Sequence, residues 1–311
     1  MSKLLKATSS PHIRHEDTTS GIMLDVIIAL LPAAIYGCIL FGPRAALILA
    51  ITIITAVVSE AVWNIALKKP QTIGDLSAVL TGLLLGMNIS SQTPFWIAAI
   101  GSVVAIIVVK QMFGGLGFNF ANPAMTARIV LLVSFAGQMS NYAKPIEWWS
   151  SGAIDAMSSA TPLAGEATTF KELFFGMHAG SIGETSAFLL IIGGLYLVLR
   201  RVIKPIIPVS FIGTVAIATL IAGGDLKLAI FGGGLMLGAI FMATDYVTTP
   251  TTNLGKLIFG IGCGLITFVI RQFSPLPEGV SYAILLMNIL TPHINRLTLS
   301  KPFGAGEVAK A

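Results

Sequence analysis

Apolar residues in this chain run in long, nearly unbroken blocks instead of alternating or recurring at short amphipathic spacing. The blocks fall at about 22–41, 44–67, 74–91, 94–113, 119–137, 184–200, 205–222, 226–244, 254–272 and 279–297. An α-helix needs roughly 17–25 apolar residues to cross a bilayer, and the blocks match that length. The pattern therefore predicts an all-α integral membrane protein with about ten transmembrane helices. Two blocks are interrupted: the third by Gly82, Gly86 and Asn88, the eighth by Gly232, Gly233, Gly234 and Gly238. Either is a candidate for a broken or re-entrant helix, which is tolerated at membrane depth only where protein or a cavity shields the backbone.

Composition agrees with the pattern. Hydrophobic residues make up 55% of the chain and charged residues 11%, against about 25% charged in a soluble domain. Mean hydropathy is +0.86. The polar, mixed-charge stretch Met1–Ser20 does not read as a cleaved secretory signal. Cys38 and Cys263 both fall in apolar blocks without CxxC spacing, so they read as small packing residues and not as a disulfide or metal framework. The pI near 9.3 would suit a nucleic-acid partner, but the basic residues follow a membrane pattern instead. Thirteen lie in one set of loops and tails, from Lys3 to Lys310, and five in the opposite set: Arg44, Lys144, Lys171, Lys227 and Arg271. By the positive-inside rule both termini are expected to be cytoplasmic and the loop 138–183 external, with Trp148 and Trp149 at its interface. Thr169–Gly176 is expected to lie on that interface as a short amphipathic turn.

The expected organisation is a tail at 1–20, a five-helix repeat at 21–137, an external loop at 138–183, a second five-helix repeat at 184–300 and a tail at 301–311. Gly82-Leu83-Leu84-Leu85-Gly86 is echoed by Gly234-Leu235-Met236-Leu237-Gly238, and Asn122-Pro123 by Thr291-Pro292. The echoes are five blocks apart, an odd number, so the second unit would be inverted relative to the first, as in many transporters.

Candidate chemistry is concentrated in few places. The loop sequence Asp155-Ala156-Met157-Ser158-Ser159-Ala160-Thr161-Pro162 places Thr161 before a proline, which favours an extended backbone with an outward hydroxyl. Taken alone, such a run is usually a turn or helix cap. Ionisable groups inside apolar blocks cost at least ~2.5 kcal/mol each and call for a reason. They are Glu60, Asp75, Lys110, Arg128 and Asp245, with Asp25 near the end of the first block. Lys110 is close enough to its helix end to snorkel, and Arg128 is expected to face protein and pair with a carboxylate. Glu60 and Asp245 are the candidates for an ion path. His12, His15, His178 and His293 show no ligand spacing and read as surface or interface histidines. Gly114-Gly115-Leu116-Gly117 lacks the spacing of a dinucleotide fingerprint and reads as a tight turn into the fifth block. Asn122-Pro123 and Thr291-Pro292 would each break or kink a helix.

Several runs together resemble a known family: Ser10-Pro11-His12-Ile13, Ala29-Leu30-Leu31-Pro32-Ala33, Gly114–Gly117 leading to Asn122-Pro123-Ala124, Phe241-Met242-Ala243-Thr244-Asp245 leading to Thr248-Thr249-Pro250, and Ser158–Thr161. They are similar to the D subunits of Rnf electron-transport complexes and to the related B subunits of the sodium-translocating NADH:quinone oxidoreductase, from about residue 10 to residue 300. Ser159 stands where that family often has glycine, and Tyr246 where it commonly has proline.

The resemblance implies that Thr161 carries FMN through a phosphoester. Asp155, Ser158 and Ala160 would complete the sequence that a flavin transferase reads, and a flavin phosphate becomes a further partner for Arg128. It also implies partner subunits, including a second flavin-bearing subunit and iron–sulfur subunits, and a non-covalent flavin such as riboflavin within this chain. The expected function is that of a flavin-carrying membrane subunit coupling ferredoxin and NAD(H) redox chemistry to Na⁺ or H⁺ translocation. It would be an enzyme only within the complex, because no cysteine cluster and no nucleotide fingerprint are present. The alternative is a channel or secondary transporter for a small solute, which has no need of Asp155–Thr161.

Overall fold

The computed structural model describes residues 18–145, 162–164, 168–184, 186–274 and 279–299. Thr161, Asp155, Ser158, Ala160, Trp148, Trp149, His12 and His15 lie outside them. Among the described residues the secondary structure is helical, and every apolar block contains a helix.

The chain enters α1 (Thr19–Phe41) through Thr18, whose hydroxyl accepts from the Gly21 amide at 3.1 Å. Gly42, at φ 80, turns the corner, and Pro43 opens α2 (Pro43–Ala66) at a position where its missing N–H is not needed. These two helices and α12 (Asn253–Phe273) are long and apolar enough to cross a membrane. Shorter apolar helices follow the same order: α3 (Ser77–Met87), α4 (Phe95–Val103, continued to Gln111 by a π-helical stretch), α5 (Pro123–Ser134), α8 (Ala187–Leu199) and α9 (Ile206–Ile221). Between α5 and α8 lie the short α6 (Ala136–Met139) and α7 (Phe170–Phe175). The last helix is α13 (Val280–Thr298).

The interrupted eighth block is broken, as its glycines suggest. It gives α10 (Leu226–Phe231), a glycine corner with Gly233 at φ 66, then α11 (Leu235–Leu237) and a π turn at Gly238–Met242. The third block is instead one short helix. One expectation about proline needs correcting. Asn122-Pro123 opens a helix and does not break one: the Asn122 side chain caps α5, accepting from the amides of Ala124 and Met125, with Pro123 at the first position. Pro292 lies inside an uninterrupted α13. Gly114, Gly115 and Gly117 all have positive φ, which makes the tight turn expected before α5.

Helix α1 packs on α8, α2 on α3 and α4, α9 on α12, and α13 on both α12 and α5. Contact is close because small residues line it. A Cβ at Gly82 would sit 2.7 Å from the Ile53 Cα and from the Thr52 carbonyl, and one at Gly193 would meet the Ala29 carbonyl across α1. Helix α7 opens with a capping box between Thr169 and Glu172, and Gly176 ends it in the left-handed conformation. Hydrogen bonds from the Thr169 amide and hydroxyl hold the Glu172 carboxyl below its ordinary range, so this cap is intact at neutral pH and loosens only as acid protonates it. The segment 178–184 folds inward, with the Ile182 amide on the Ile89 carbonyl at 3.1 Å and the Gly183 amide on the Met87 carbonyl at 2.8 Å. His178, expected at the surface or an interface, is buried in this segment.

Glycine packing can be tested at α1 and α8. Gly193→Leu must push the Ala29 backbone aside and is expected to cost about 1–3 kcal/mol, read as a lower melting temperature in detergent. Gly213→Ala, where a Cβ meets nothing within 4 Å, should leave melting unchanged or raise it slightly. Equal melting of the two variants would contradict this account of the interface.

Candidate functional site

Three polar clusters sit inside the helical bundle. The first surrounds Glu60 on α2, which is fully buried. Lys110, on the π-helical end of α4, reaches both carboxylate oxygens, at 3.1 and 2.9 Å. Gln111 Nε2 donates to Glu60 at 3.0 Å, and the Thr72 hydroxyl donates to it as well. Lys110 also donates to Ser77, whose amide and hydroxyl in turn donate to Asp75. The snorkelling expected of Lys110 is therefore not observed: at 2% exposure it turns inward, because a buried carboxylate is there to receive it. Asp75 leaves the membrane block altogether and lies in a 3-10 turn just before α3. Asp25 on α1 is paired across to α8, with Arg200 at 3.1 Å and the Tyr196 hydroxyl at 2.9 Å.

The second cluster surrounds Asp245, in the connection between the π turn and α12. The Thr248 hydroxyl donates to it at 3.0 Å, and Asn119 and the amides of Tyr246 and Val247 also direct hydrogen bonds toward it. Among the described residues no cation lies within ion-pair distance of Asp245. It borders a cavity of about 90 Å³, together with Asn119, Asn122, Ser77 and Lys110. A cavity of roughly 150 Å³ holds a benzene ring. This one suits waters or a small ion, and a flavin ring system would have to displace the surrounding side chains. Asn122 Nδ2 donates to the Met242 carbonyl at 3.2 Å, and Asn288, with its amide turned to satisfy both neighbours, links Asn122 to Thr248.

The third cluster lies where α3 ends and α11 begins. Arg128 on α5, 2% exposed, donates to Asn88 Oδ1 at 2.5 Å and faces Glu184 at 4.0 Å. Ser181 donates to the same Glu184 carboxylate. A Cβ at Gly234 would lie within 4.0 Å of Arg128, Glu184 and Asn88, so the glycine lets the broken helix approach the charges. Tyr142 is buried beside them. Burial pushes its phenol up to about 12, with Arg128 pulling it down and Glu184 pushing it up. The inward face of Arg128 and its carboxylate partner are as expected. Glu184 is the functional candidate that sequence reasoning passes over, although an acid opening an apolar block is the signal available.

The segment following Thr161 is described at Pro162–Ala164, a single 3-10 turn. The Leu163 side chain packs where a Cβ of Gly233 would stand, and the Arg271 guanidinium lies 3.2 Å from that same point. Half-buried Arg271 donates to the carbonyls of Ala229 at 2.7 Å and Gly232 at 3.1 Å. It has no carboxylate within ion-pair distance among the described residues, and its Nε has no partner. No group of three or more metal-ligating side chains occurs among the described residues.

A family profile described as "NQR2, RnfD, RnfE family" matches residues 6–304. The chain belongs to this family. It is 46% identical over 98% of its length, and 97% of the relative, to the D subunit of the Na(+)-translocating ferredoxin:NAD(+) oxidoreductase complex of Acetobacterium woodii. It is 43% identical to the D subunit of the proton-translocating ferredoxin:NAD(+) oxidoreductase complex of Clostridium ljungdahlii, over 96% of this chain and 95% of that one. The D subunit of the ion-translocating oxidoreductase complex of Stutzerimonas stutzeri is 39% identical over 91% of both chains. Membership of the NQR2, RnfD, RnfE family, together with the apolar helices, places the chain in a membrane.

The Glu60–Lys110 pair yields a direct test. Removing one partner of a buried pair costs about 3–5 kcal/mol, whereas replacing both with apolar groups is close to neutral. Lys110→Met is expected to lower the melting temperature sharply, and Glu60→Leu with Lys110→Met to restore most of it. Additive losses in the double variant would show that the two groups act separately.

Proposed function

We propose that this chain is the D subunit of an Rnf-type complex, coupling electron transfer between ferredoxin and NAD⁺ to ion translocation across a membrane. The observation that carries this reading is the end-to-end match to relatives named as that subunit. The chain acts as part of the complex, with partner subunits supplying the iron–sulfur and nucleotide chemistry. Two relatives are named for different ions, Na⁺ and H⁺, so overall identity does not choose between them.

In the same reading the ten helical blocks form two inverted five-helix repeats, 21–137 and 184–300, with both termini cytoplasmic and the loop 138–183 external. Supporting the repeat, α2 packs against α4 as α9 packs against α12, and α4 against α5 as α12 against α13.

Thr161 is assigned as the attachment point of FMN through a phosphoester, with Asp155, Ser158 and Ala160 read by a flavin transferase. The residues present fit that group. A phosphoester linkage keeps a negative charge, and Arg271, a cation without a carboxylate partner among the described residues, stands beside the segment just downstream of Thr161. FMN would supply one- and two-electron redox chemistry, while the chain anchors it and shapes its surroundings. A second, non-covalent flavin such as riboflavin belongs to the same reading, without assigned residues. Thr161→Ala is expected to abolish in-gel flavin fluorescence of this chain while the helical fold and melting temperature persist. A peptide spanning 145–171 without an FMN mass adduct, from a host with an active transferase, would refute the assignment.

Of the two ion-path candidates, the geometry favours Asp245. Glu60 already has a lysine against its carboxylate, whereas Asp245 has hydroxyl and amide donors and a cavity beside it. Asp245→Asn is expected to lower ion transport by vesicles at least tenfold with flavin still attached. Glu60→Gln should act mainly through stability. Normal pumping by Asp245→Asn would remove the acid from the path.

A further inference from the structure

A separate cavity of about 140 Å³ opens where the turn after α8 meets the start of α12. Arg201, Lys204 and Lys256 line it, and no carboxylate does among the described residues. The nearest acid in sequence, Asp245, accepts from Thr248 and borders the other cavity. The hydroxyls on the wall are already committed as donors: Thr244 to Ile240 at 2.7 Å, Thr249 to Asp245 at 2.7 Å, and Tyr246 to the Val202 carbonyl. Lys204 spends one proton on Asn253 at 3.0 Å.

One feature is unfavourable without an anion, and a second fixes the position of a cation. Lys256 sits in the first turn of α12, where the helix dipole repels a cation. Arg201 holds a left-handed backbone, φ 59, because it closes α8: its amide and that of Val202 return to the Val198 and Leu197 carbonyls, which fixes the arginine at the cavity mouth. Three cations on a concave wall that carries no acid among the described residues together present donors for several oxygens at once.

We propose that this cavity binds a phosphate-bearing anion at the membrane surface. Basic pockets between membrane helices recognise phospholipid headgroups by this chemistry, and a free phosphate would satisfy the same donors.

Full-length protein in neutral detergent, alone and within its complex, is titrated with phosphatidylglycerol, phosphatidylcholine or inorganic phosphate while melting is followed. Retained lipid is counted by native mass spectrometry. Phosphatidylglycerol should raise the melting temperature, and Arg201→Gln or Lys256→Gln should move the midpoint at least tenfold higher in ligand. Lys69→Gln, outside the cavity, should not. A response to phosphatidylglycerol alone assigns a lipid headgroup; a response to inorganic phosphate as well assigns the phosphate group itself. Arg201→Gly relieves the backbone and should keep or raise the ligand-free melting temperature while losing the response, which a purely structural arginine would not do. Equal midpoints for wild type and every cavity variant, or equal response to phosphatidylcholine, would overturn the proposal.

Discussion

The guanidinium of Arg128 is held inside the bundle by Asn88 and Glu184, and the meeting of the short helices is organised around that contact. A buried charge is several kcal/mol more costly than a buried methylene unless it is paired and hydrogen-bonded. The partners come from four separate places: Asn88 from the end of α3, Arg128 from α5, Glu184 and Ser181 from the inward-folded segment 178–184, and Gly234 from the corner before α11. None of these elements is long enough to be held by lipid alone, so satisfying the charge fixes their mutual positions. The inward fold of segment 178–184 follows: its backbone amides pair with the carbonyls of Met87 and Ile89, which the end of α3 leaves without partners.

Much of this is legible in the sequence. Block length alone locates the helices, and the glycine-rich interruption near 232–234 breaks its helix because Gly233 takes a positive φ there. The inward turn of Arg128 follows from the cost of leaving it in lipid. Other features are not legible, for physical reasons. Lys110 reads as a snorkelling residue because hydropathy shows depth and not the neighbour across the bundle; its partner Glu60 is fifty residues away. Asn122-Pro123 reads as a break because a proline after apolar residues looks the same whether it ends a helix or starts one. The start is signalled only by Asn122, a strong N-cap residue. His178 reads as a surface or interface residue because its burial depends on how the loop folds back, which no periodicity encodes.

Two of the interior carboxylates, Glu60 and Asp245, contrast in a way that sequence does not show. Glu60 lies inside its apolar block and Asp245 just past the end of its own, yet one has a cation against it and the other does not. Glu60 accepts from Lys110, Gln111 and Thr72, so its charge is answered within the chain. Asp245 is met only by neutral donors among the described residues and borders a cavity. Low charge density elsewhere in the bundle makes that difference larger, since little else screens it.

A run of hydrogen bonds connects the cavity to the buried arginine. Asn122, on the cavity wall, donates to the Met242 carbonyl; Asn88 donates to the Met242 sulfur at 3.3 Å; and Arg128 donates to Asn88. Met242 closes the π turn of the broken helix, so two asparagines from one half of the chain grip the turn of the other. For a cation at Asp245, the far end of this run is a like charge, and a fixed guanidinium in a low-dielectric interior is a barrier to cations. The arrangement is therefore closed in that direction.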